Sequence, residues 1–319
     1  MISWYHLAAW CSLGARVQVV AVCDPSAERA QRRADEFGIP RVFDKTDSML
    51  EGMEIDALDI ASPRETHAAL VEAAAARRID VLCQKPLTPT LAEAQALVAR
   101  VAGKHRLMVH ENWRFRPWYR ELRRWIAEGA LGEVLLGQLF SIDSGLLPNA
   151  DGLRPALERQ PFMANEARLM ISEALIHHLD VMRYLCGPLH VLAARTAHTL
   201  GWVKGETLAA VLLRTESGAP VNVTGTMAAP GYPASAPDRL EIVGSAASAV
   251  LADDELRLLG PRPRALRYDS AAGYQASFDA TIAHFVDCLE SGAPFETDAV
   301  DNIETLKLVE QAYLAAASG

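Results

Sequence analysis

The sequence predicts a two-domain α/β protein, in which a doubly wound parallel sheet is followed by an α+β domain built on an antiparallel sheet. Three observations predict it. Short apolar runs alternate with helix-period segments as far as His110, strand-like segments then gather between Val191 and Tyr268, and two helical segments close the chain. The 319 residues suffice for two domains, with limits expected at 1–112 and 113–319. Half of them are hydrophobic and 22% are charged, a balance that buries a core and excludes disorder, collagen-like repeats and coiled coil.

The first domain justifies itself element by element. MISWYHLAAW opens directly on a helical pattern, with neither the basic start nor the cleavage site of a signal peptide. Val17–Cys23 is an almost continuous apolar run ending in Asp24, as a strand buried on both faces should be. A helix follows over Ala27–Phe37, then strands near Arg41–Phe43 and Ala57–Ala61, and a helix over His67–Ala76. Val81–Cys83 is the next strand, Leu91–Val101 a helix with apolar residues at helical spacing, and Leu107–Val109 the last strand. Strands alternating with helices of this length make βαβ units.

After His110 the pattern changes. A helix over Pro117–Glu128 leads to a strand near Val134–Ile142 and a loop rich in Pro, Asn and Gly through Leu146–Pro161. Glu173–Leu185 is helical, and the following strands are separated by turn signals at Ser217-Gly218, Pro230-Gly231, Gly244-Ser245 and Asp253-Asp254. Val221–Met227 alternates apolar and polar residues, the mark of a sheet with one wet or partner-covered face. A stripe of Phe278, Ile282, Phe285, Val286 and Leu289 and a segment over Val300–Ala316 form the closing helices.

Composition excludes some functions. A net charge of −9, from 40 acids against 31 bases, argues against non-specific binding to nucleic acid or anionic membrane. No apolar run approaches the ~20 residues of a membrane span. Five scattered cysteines without a CxxC pair suit reduced thiols in a cytoplasmic protein better than a disulfide framework or zinc site.

Ligands of doubly wound domains bind outside the carboxyl ends of the strands. Asp24 sits at such an end, where an acid bonds ribose hydroxyls and repels the extra phosphate of NADP; it reads equally as the N-cap of the next helix. Ser62-Pro63 stops another strand, and His67 opens the helix beyond it, either against a ligand or as an ordinary first-turn residue. Gln84-Lys85-Pro86 leaves a third strand end, and Pro86 biases Lys85 toward an extended conformation aimed off the sheet edge.

The sharpest signal is Met170–Met182. At ~100° per residue, Glu173, His177 and Asp180 fall on one stripe of a helix otherwise rich in Leu, Ile, Val and Met. Imidazole ordinarily titrates near ~6.5, which suits His177 to acid/base work with a carboxylate one turn away to orient it. A Glu/His metal site and a purely structural network are the rival readings; no further metal ligand presents itself. His178 points elsewhere, as a packing or surface residue.

At these residues the chain resembles the glucose–fructose oxidoreductase, inositol dehydrogenase and rhizopine-catabolism (Gfo/Idh/MocA) family of NAD(P)-dependent oxidoreductases. The resemblance rests on Val19–Asp24, Asp56–Pro63 with Thr66-His67, Lys85-Pro86, Asn112–Phe115 with Pro117, Gly129–Val134 and Glu173–Asp180. It implies a Rossmann domain paired with a second domain whose large open, mainly antiparallel sheet forms a homo-oligomer interface. It implies hydride transfer between NAD (NADP being possible) and a secondary alcohol of a sugar, cyclitol or related diol.

Carried over by position, Lys85 matches the lysine that holds the substrate hydroxyl, and His177 the proton-transferring histidine. Glu173 stands where the family commonly has Asp. Asp24 matches the ribose-binding acid, Ser62, Pro63 and His67 a loop skirting the cofactor, and Arg114 a position near nicotinamide and substrate. Two departures stand out. Gln84 replaces the usual Glu beside the lysine, and the family's first strand and most of its glycine-rich turn are absent, Met1-Ile2-Ser3 aligning with the end of that turn. The expectation is a gene product that starts upstream, or a fragment, whose remaining strands lack ladder partners. Gln84 and the incomplete turn also keep open a non-catalytic nucleotide- or sugar-sensing protein on the same fold.

Overall fold

The computed structural model describes residues 2–318; Met1, aligned above with the end of a glycine-rich turn, lies outside them. In chain order the elements are α1 (Ile2–Ser12), β1 (Ala21–Cys23), α2 (Ala27–Phe37), β2 (Arg41–Phe43), α3 (Thr46–Gly52), β3 (Ala57–Ile60), α4 (His67–Ala76), β4 (Asp80–Gln84), α5 (Leu91–Val101), β5 (Leu107–His110), α6 (Pro117–Ala127), β6 (Val134–Ile142), α7 (Pro155–Arg159) and α8 (Ile176–Cys186). Then follow β7 (Leu189–Ala197), β8 (Leu208–Thr215), β9 (Pro220–Thr226), β10 (Arg239–Gly244), β11 (Ser248–Ala252), β12 (Glu255–Leu259), β13 (Arg264–Arg267), α9 (Ser270–Ser291) and α10 (Ala299–Ala317). The chain divides into two compact units, Met1–Asn112 with Gln275–Glu304, and Trp113–Tyr274 with Thr305–Gly319.

The first unit carries the parallel strands, in two pieces. β1 pairs with β2, and β3, β4 and β5 pair in that order, every pairing parallel. Among the described residues no ladder joins β1 to β3, so each is paired on one side only. The apolar run at 17–23 therefore yields only a three-residue strand, the three that face Arg41–Phe43. β1 is half-buried at all three residues, short of the strand buried on both faces expected over 17–23, whereas β4 is covered on both faces, with Val81, Leu82 and Cys83 fully buried.

Caps fix the helices of this unit. The Ser26 hydroxyl accepts from the Arg29 amide to start α2, and Gly38 ends it in the left-handed conformation. Thr90 and Glu93 form a reciprocal capping box on α5. The return of Gln275–Glu304 to this unit differs from a second domain running unbroken from 113 to 319, and its contacts explain why. The Val109 amide donates to Thr297 O at 2.8 Å, the Thr297 hydroxyl donates back to Val109 O, and Tyr5 stacks on Phe278 at 5.3 Å.

The second unit is built on an eight-stranded sheet in the order β13-β12-β11-β10-β6-β9-β8-β7. All neighbours are antiparallel except β6 and β9, which run parallel. Val221 and Val223 bury one face of β9, while Asn222, Thr224 and Thr226 alternate onto the other. Two glycines let the segment that carries the candidate site sit close against the buried face. A Cβ on Gly137 would stand 2.7 Å from Met182 Cε, and one on Gly225 would stand 2.8 Å from Leu175 Cδ2 and 2.9 Å from Ser141 O. No helix among the described residues is long and apolar enough to cross a membrane.

Candidate active site

In the first unit the predicted residues gather at strand ends. Asp24 follows β1, and its Oδ1 accepts from the Ser26 amide at 2.8 Å and from Arg29 Nη2 at 3.1 Å. It is not the helix cap, which is Ser26. Ile2 and Ser3 form the first turn of α1, where backbone amides lack intrahelical acceptors; the Ser3 hydroxyl accepts from Arg33 Nε at 3.3 Å. Ser62 and Pro63 leave the end of β3, with the Ser62 and Thr66 hydroxyls 2.6 Å apart.

His67 is a clamp between two loops. It is 1% exposed, its Nδ1 lies 2.9 Å from Pro86 O and its Nε2 2.9 Å from Ser62 O, so both nitrogens face backbone carbonyls. Burial holds its pKa below the ordinary imidazole range despite the pull of those carbonyls. A ring closed on both sides positions Ser62 and Pro86 and has no free nitrogen for a ligand.

The Lys85-Pro86 peptide is cis. The Gln84 carbonyl oxygen Oε1 accepts from the Lys85 amide at 2.6 Å, and its Nε2 lies 3.2 Å from His6 Nε2. His6 Nδ1 in turn lies 2.8 Å from Asp59 Oδ2, which also accepts from Trp10 Nε1 at 2.6 Å. The tautomer with hydrogen on Nδ1 donates to Asp59 and accepts from the Gln84 amide. A carboxylate at 84 lacks that donor, which gives the departure from Glu a physical reason.

In the second unit the predicted helix begins earlier than expected and differently. Met170–Leu175 is a π-helix, and α8 continues from Ile176. Glu173 lies in the π turn and His177 in the α-helix; both are buried, at 8% and 7% exposed. The His177 ring stacks on Trp113 with centroids 4.0 Å apart and planes 14° apart, and the Arg116 guanidinium lies 3.7 Å over the same indole.

Asp180 is held in an ion pair. It is fully buried and accepts from Arg114 Nε at 2.7 Å, Arg114 Nη2 at 2.5 Å and the Thr305 hydroxyl at 2.9 Å. Arg114, expected beside nicotinamide and substrate, is 4% exposed with its guanidinium engaged in this fork. The two form a structural ion pair.

His178 is no surface residue. It is 3% exposed, with Nε2 2.9 Å from Asp238 Oδ1 and Nδ1 3.1 Å from Ala174 O. Asp238 Oδ2 accepts from the Tyr119 hydroxyl at 2.7 Å and from Arg116 Nη1 at 3.3 Å. Burial alone raises the Asp238 carboxyl, but His178, Arg116 and Tyr119 together hold it well below the usual carboxylate range. Sequence reasoning missed Asp238; its only local signal is an acid directly before a strand.

Asp143 was missed likewise. It follows β6, its Oδ1 accepts from the Gly145 amide at 2.8 Å, and burial raises its carboxyl to about 6. Unfolded carboxyls titrate near ~3.9, so between those values the folded state holds a proton that the unfolded state has released. That contribution to stability therefore falls as pH rises from about 4 to about 6. Asp143→Asn should gain on the native protein across that window, by on the order of 2 kcal/mol, and show a constant difference above it. Urea midpoints measured at intervals of pH check this; a pH-independent difference refutes it.

Among the described residues no group of three or more His, Cys, Asp or Glu side chains stands ready to hold a metal ion. Two sequence families match the chain. Residues 1–112 match the oxidoreductase family with an NAD-binding Rossmann fold, and residues 119–250 match the GFO/IDH/MocA C-terminal domain. A D-apiose dehydrogenase of Paraburkholderia graminis is 32% identical over 98% of this chain and 84% of its own length. A second D-apiose dehydrogenase, from Rhizobium rhizogenes, is 32% identical over 94% of this chain and 88% of its own.

Among solved structures, an Agrobacterium radiobacter oxidoreductase in complex with NAD+, L-tartaric acid and magnesium superimposes with a TM-score of 0.92. It is 29% identical and covers 100% of this chain and 94% of its own. A levoglucosan dehydrogenase in complex with NADH and levoglucosan, 21% identical, shares the fold with a TM-score of 0.86 over 99% of this chain and 94% of its own. Parallel strands ending in Asp24, Ser62 and Lys85, a helix bearing His177 above a mixed sheet, and these full-length matches lead to one assignment: the chain belongs to the Gfo/Idh/MocA family of NAD-binding oxidoreductases.

Proposed function

We propose that the protein oxidises a secondary alcohol of a sugar or cyclitol with NAD. The observation that carries this reading is the placement of His177: flat against Trp113, on a helix anchored through Asp180 and His178, one turn beyond Glu173. D-apiose and inositol dehydrogenases among the relatives support the substrate class.

The residues of the first unit fit a dinucleotide. Asp24 offers carboxylate oxygens to a ribose diol and disfavours a 2′-phosphate, the first-turn amides of Ile2 and Ser3 are donors for a phosphate, and Ser62 and Pro63 line a strand end. When bound, NAD supplies the hydride acceptor. Lys85 binds and polarises the substrate hydroxyl oxygen, and His177 takes the hydroxyl proton. Glu173 orients the hydroxyl or the imidazole.

Five free cysteines support a reducing, cytoplasmic setting. The face of the eight-stranded sheet that carries Leu212, Leu259, Asn222 and Thr224 supports a homo-oligomer interface with a second copy; Leu212 is 36% and Leu259 45% exposed.

A two-step experiment tests the reading. Titration with NADH and then NADPH, followed by energy transfer from tryptophan, should saturate at lower NADH than NADPH. NAD+ with D-apiose, inositols and a panel of aldoses should then yield NADH. Tight NADH binding without turnover of any polyol in the panel overturns the enzymatic reading in favour of a nucleotide or sugar sensor.

A further inference from the structure

The π turn at Met170–Leu175 has no cause in its own sequence. Met-Ile-Ser-Glu-Ala-Leu contains neither proline nor glycine and forms helices readily, so the wider turn must be imposed from outside. The residue that meets it is Glu206, 3% exposed. Its Oε2 accepts from the Leu169 amide at 3.2 Å, its Oε1 from the Ile171 amide at 3.0 Å, and its backbone carbonyl from the Met170 amide at 3.2 Å. Three consecutive amides at the helix entrance are thus all taken by one residue. The Tyr313 hydroxyl donates to Oε1 at 2.5 Å, and the Arg168 guanidinium lies 4.0 Å over the Tyr313 ring.

The backbone around Glu206 is shaped for this contact. A Cβ on the preceding Gly205 would stand 2.5 Å from Glu166 O and 2.8 Å from Leu169 Cβ, so only glycine lets the strand entrance come this close. The carboxylate bonds the Leu169 and Ile171 amides and the backbone carbonyl bonds that of Met170, so one residue caps the entrance of the π turn. The α-helix proper starts at Ile176. The junction between π and α falls between Glu173 and His177, so whatever fixes the π turn fixes the rotation of the carboxylate relative to the imidazole.

We propose that Glu206 is a positioning residue, whose grip on the amides of residues 169–171 holds the π turn that sets Glu173 against His177. The proposal rests on the acid/base reading of His177 but has a consequence independent of it. Without the carboxylate the Leu169 and Ile171 amides lose their acceptors and turn to water, while the Met170 amide keeps the backbone carbonyl, and the turn relaxes toward α geometry. Nothing about Glu206 itself enters the chemistry, since it acts through the backbone.

The test compares Glu206→Ala, Glu206→Gln and Tyr313→Phe with the native enzyme. A crystal structure of Glu206→Ala should show residues 170–175 relaxed from the π turn, and hydrogen exchange should show faster exchange at Leu169 and Ile171. With NAD+ and D-apiose, or whichever polyol of the panel turns over, kcat should fall by about 10²-fold for alanine, with NADH affinity within about 2-fold of native. Glutamine keeps one accepting oxygen and should recover most of the loss; Tyr313→Phe keeps both carboxylate oxygens and should lose less than alanine. In a His177→Ala background the further effect of Glu206→Ala on kcat should vanish, because the residue acts through that site.

A π turn unchanged in Glu206→Ala overturns the proposal, as does a relaxed turn with native kcat, or a Glu206→Ala effect that adds in full to His177→Ala. Should alanine fail to fold, the glutamine structure and kinetics decide by the same criteria. Native turnover in His177→Ala refutes the acid/base reading instead, and the crystal structure still reports on whether Glu206 holds the turn.

Discussion

Replacing Asp180 by alanine is expected to destabilise the protein by about 3–5 kcal/mol, read as a lowered urea midpoint at unchanged slope. Asp180 is fully buried and Arg114 is 4% exposed, so neither charge of the pair has water to fall back on. The carboxylate takes two guanidinium hydrogen bonds in the bidentate geometry, with the Thr305 hydroxyl on Oδ1 and Arg183 Nη1 3.6 Å from the same oxygen. Removing it leaves an uncompensated guanidinium in the core, and that penalty exceeds anything the pair contributes by mutual attraction. Asp180→Asn keeps the volume and one accepting oxygen, and should fall between native and alanine. The decisive comparison is Arg114→Met with Asp180→Leu. If the penalty is uncompensated charge, the double replacement regains stability over Asp180→Ala; if the double replacement is worse than either single change, the pair is stabilising in its own right and the argument fails.

This pair also shows what sequence pattern cannot separate. Glu173, His177 and Asp180 share a stripe by helical arithmetic, and all three are buried. Whether a buried acid serves chemistry or a neighbouring cation depends on Arg114, 66 positions away, and Thr305, 125 positions away. The π turn is illegible for the same reason: its cause is Glu206, and the local sequence reads as plain helix. Asp238 and Asp143 carry no local pattern, only environments made by His178, Arg116 and the burial of a strand end.

Where causes are local, the sequence was legible. α2, α4 and α5 run over the residues expected from periodicity, and the Ser26 and Thr90 caps stand at the starts of two of them. β1 was overestimated because an apolar run becomes a strand only where it has a partner, and only three residues, themselves half-buried, have one. His67 reads in the sequence either as a ligand contact or as an ordinary first-turn residue. Its position at a strand end suits ligand contact, while its two carbonyl neighbours turn it into the clamp that holds the loop of Lys85.

The largest effect on activity is expected at His177. Alanine there should lower kcat by about 10²–10⁴-fold, the range for loss of a positioned general base, while NADH affinity stays near native. The ring is held by stacking, 4.0 Å from Trp113, whose indole also lies 3.7 Å from the Arg116 guanidinium, so alanine leaves Trp113 in place. The stability cost is accordingly that of one buried ring, about 1–2 kcal/mol, far short of the Asp180 effect. A sign in the pH profile separates base from scaffold. In alcohol oxidation the base must be unprotonated, so native kcat falls toward low pH, and that acid limb should disappear in His177→Ala even though the remaining rate is small. Glutamine fills the space and stacks on Trp113 without accepting a proton in this range, and should restore the stability but not the rate. Restoration of rate by glutamine, or an acid limb that persists in alanine, would assign the proton to another group and leave His177 as packing for Trp113; loss of NADH affinity in step with kcat would do the same.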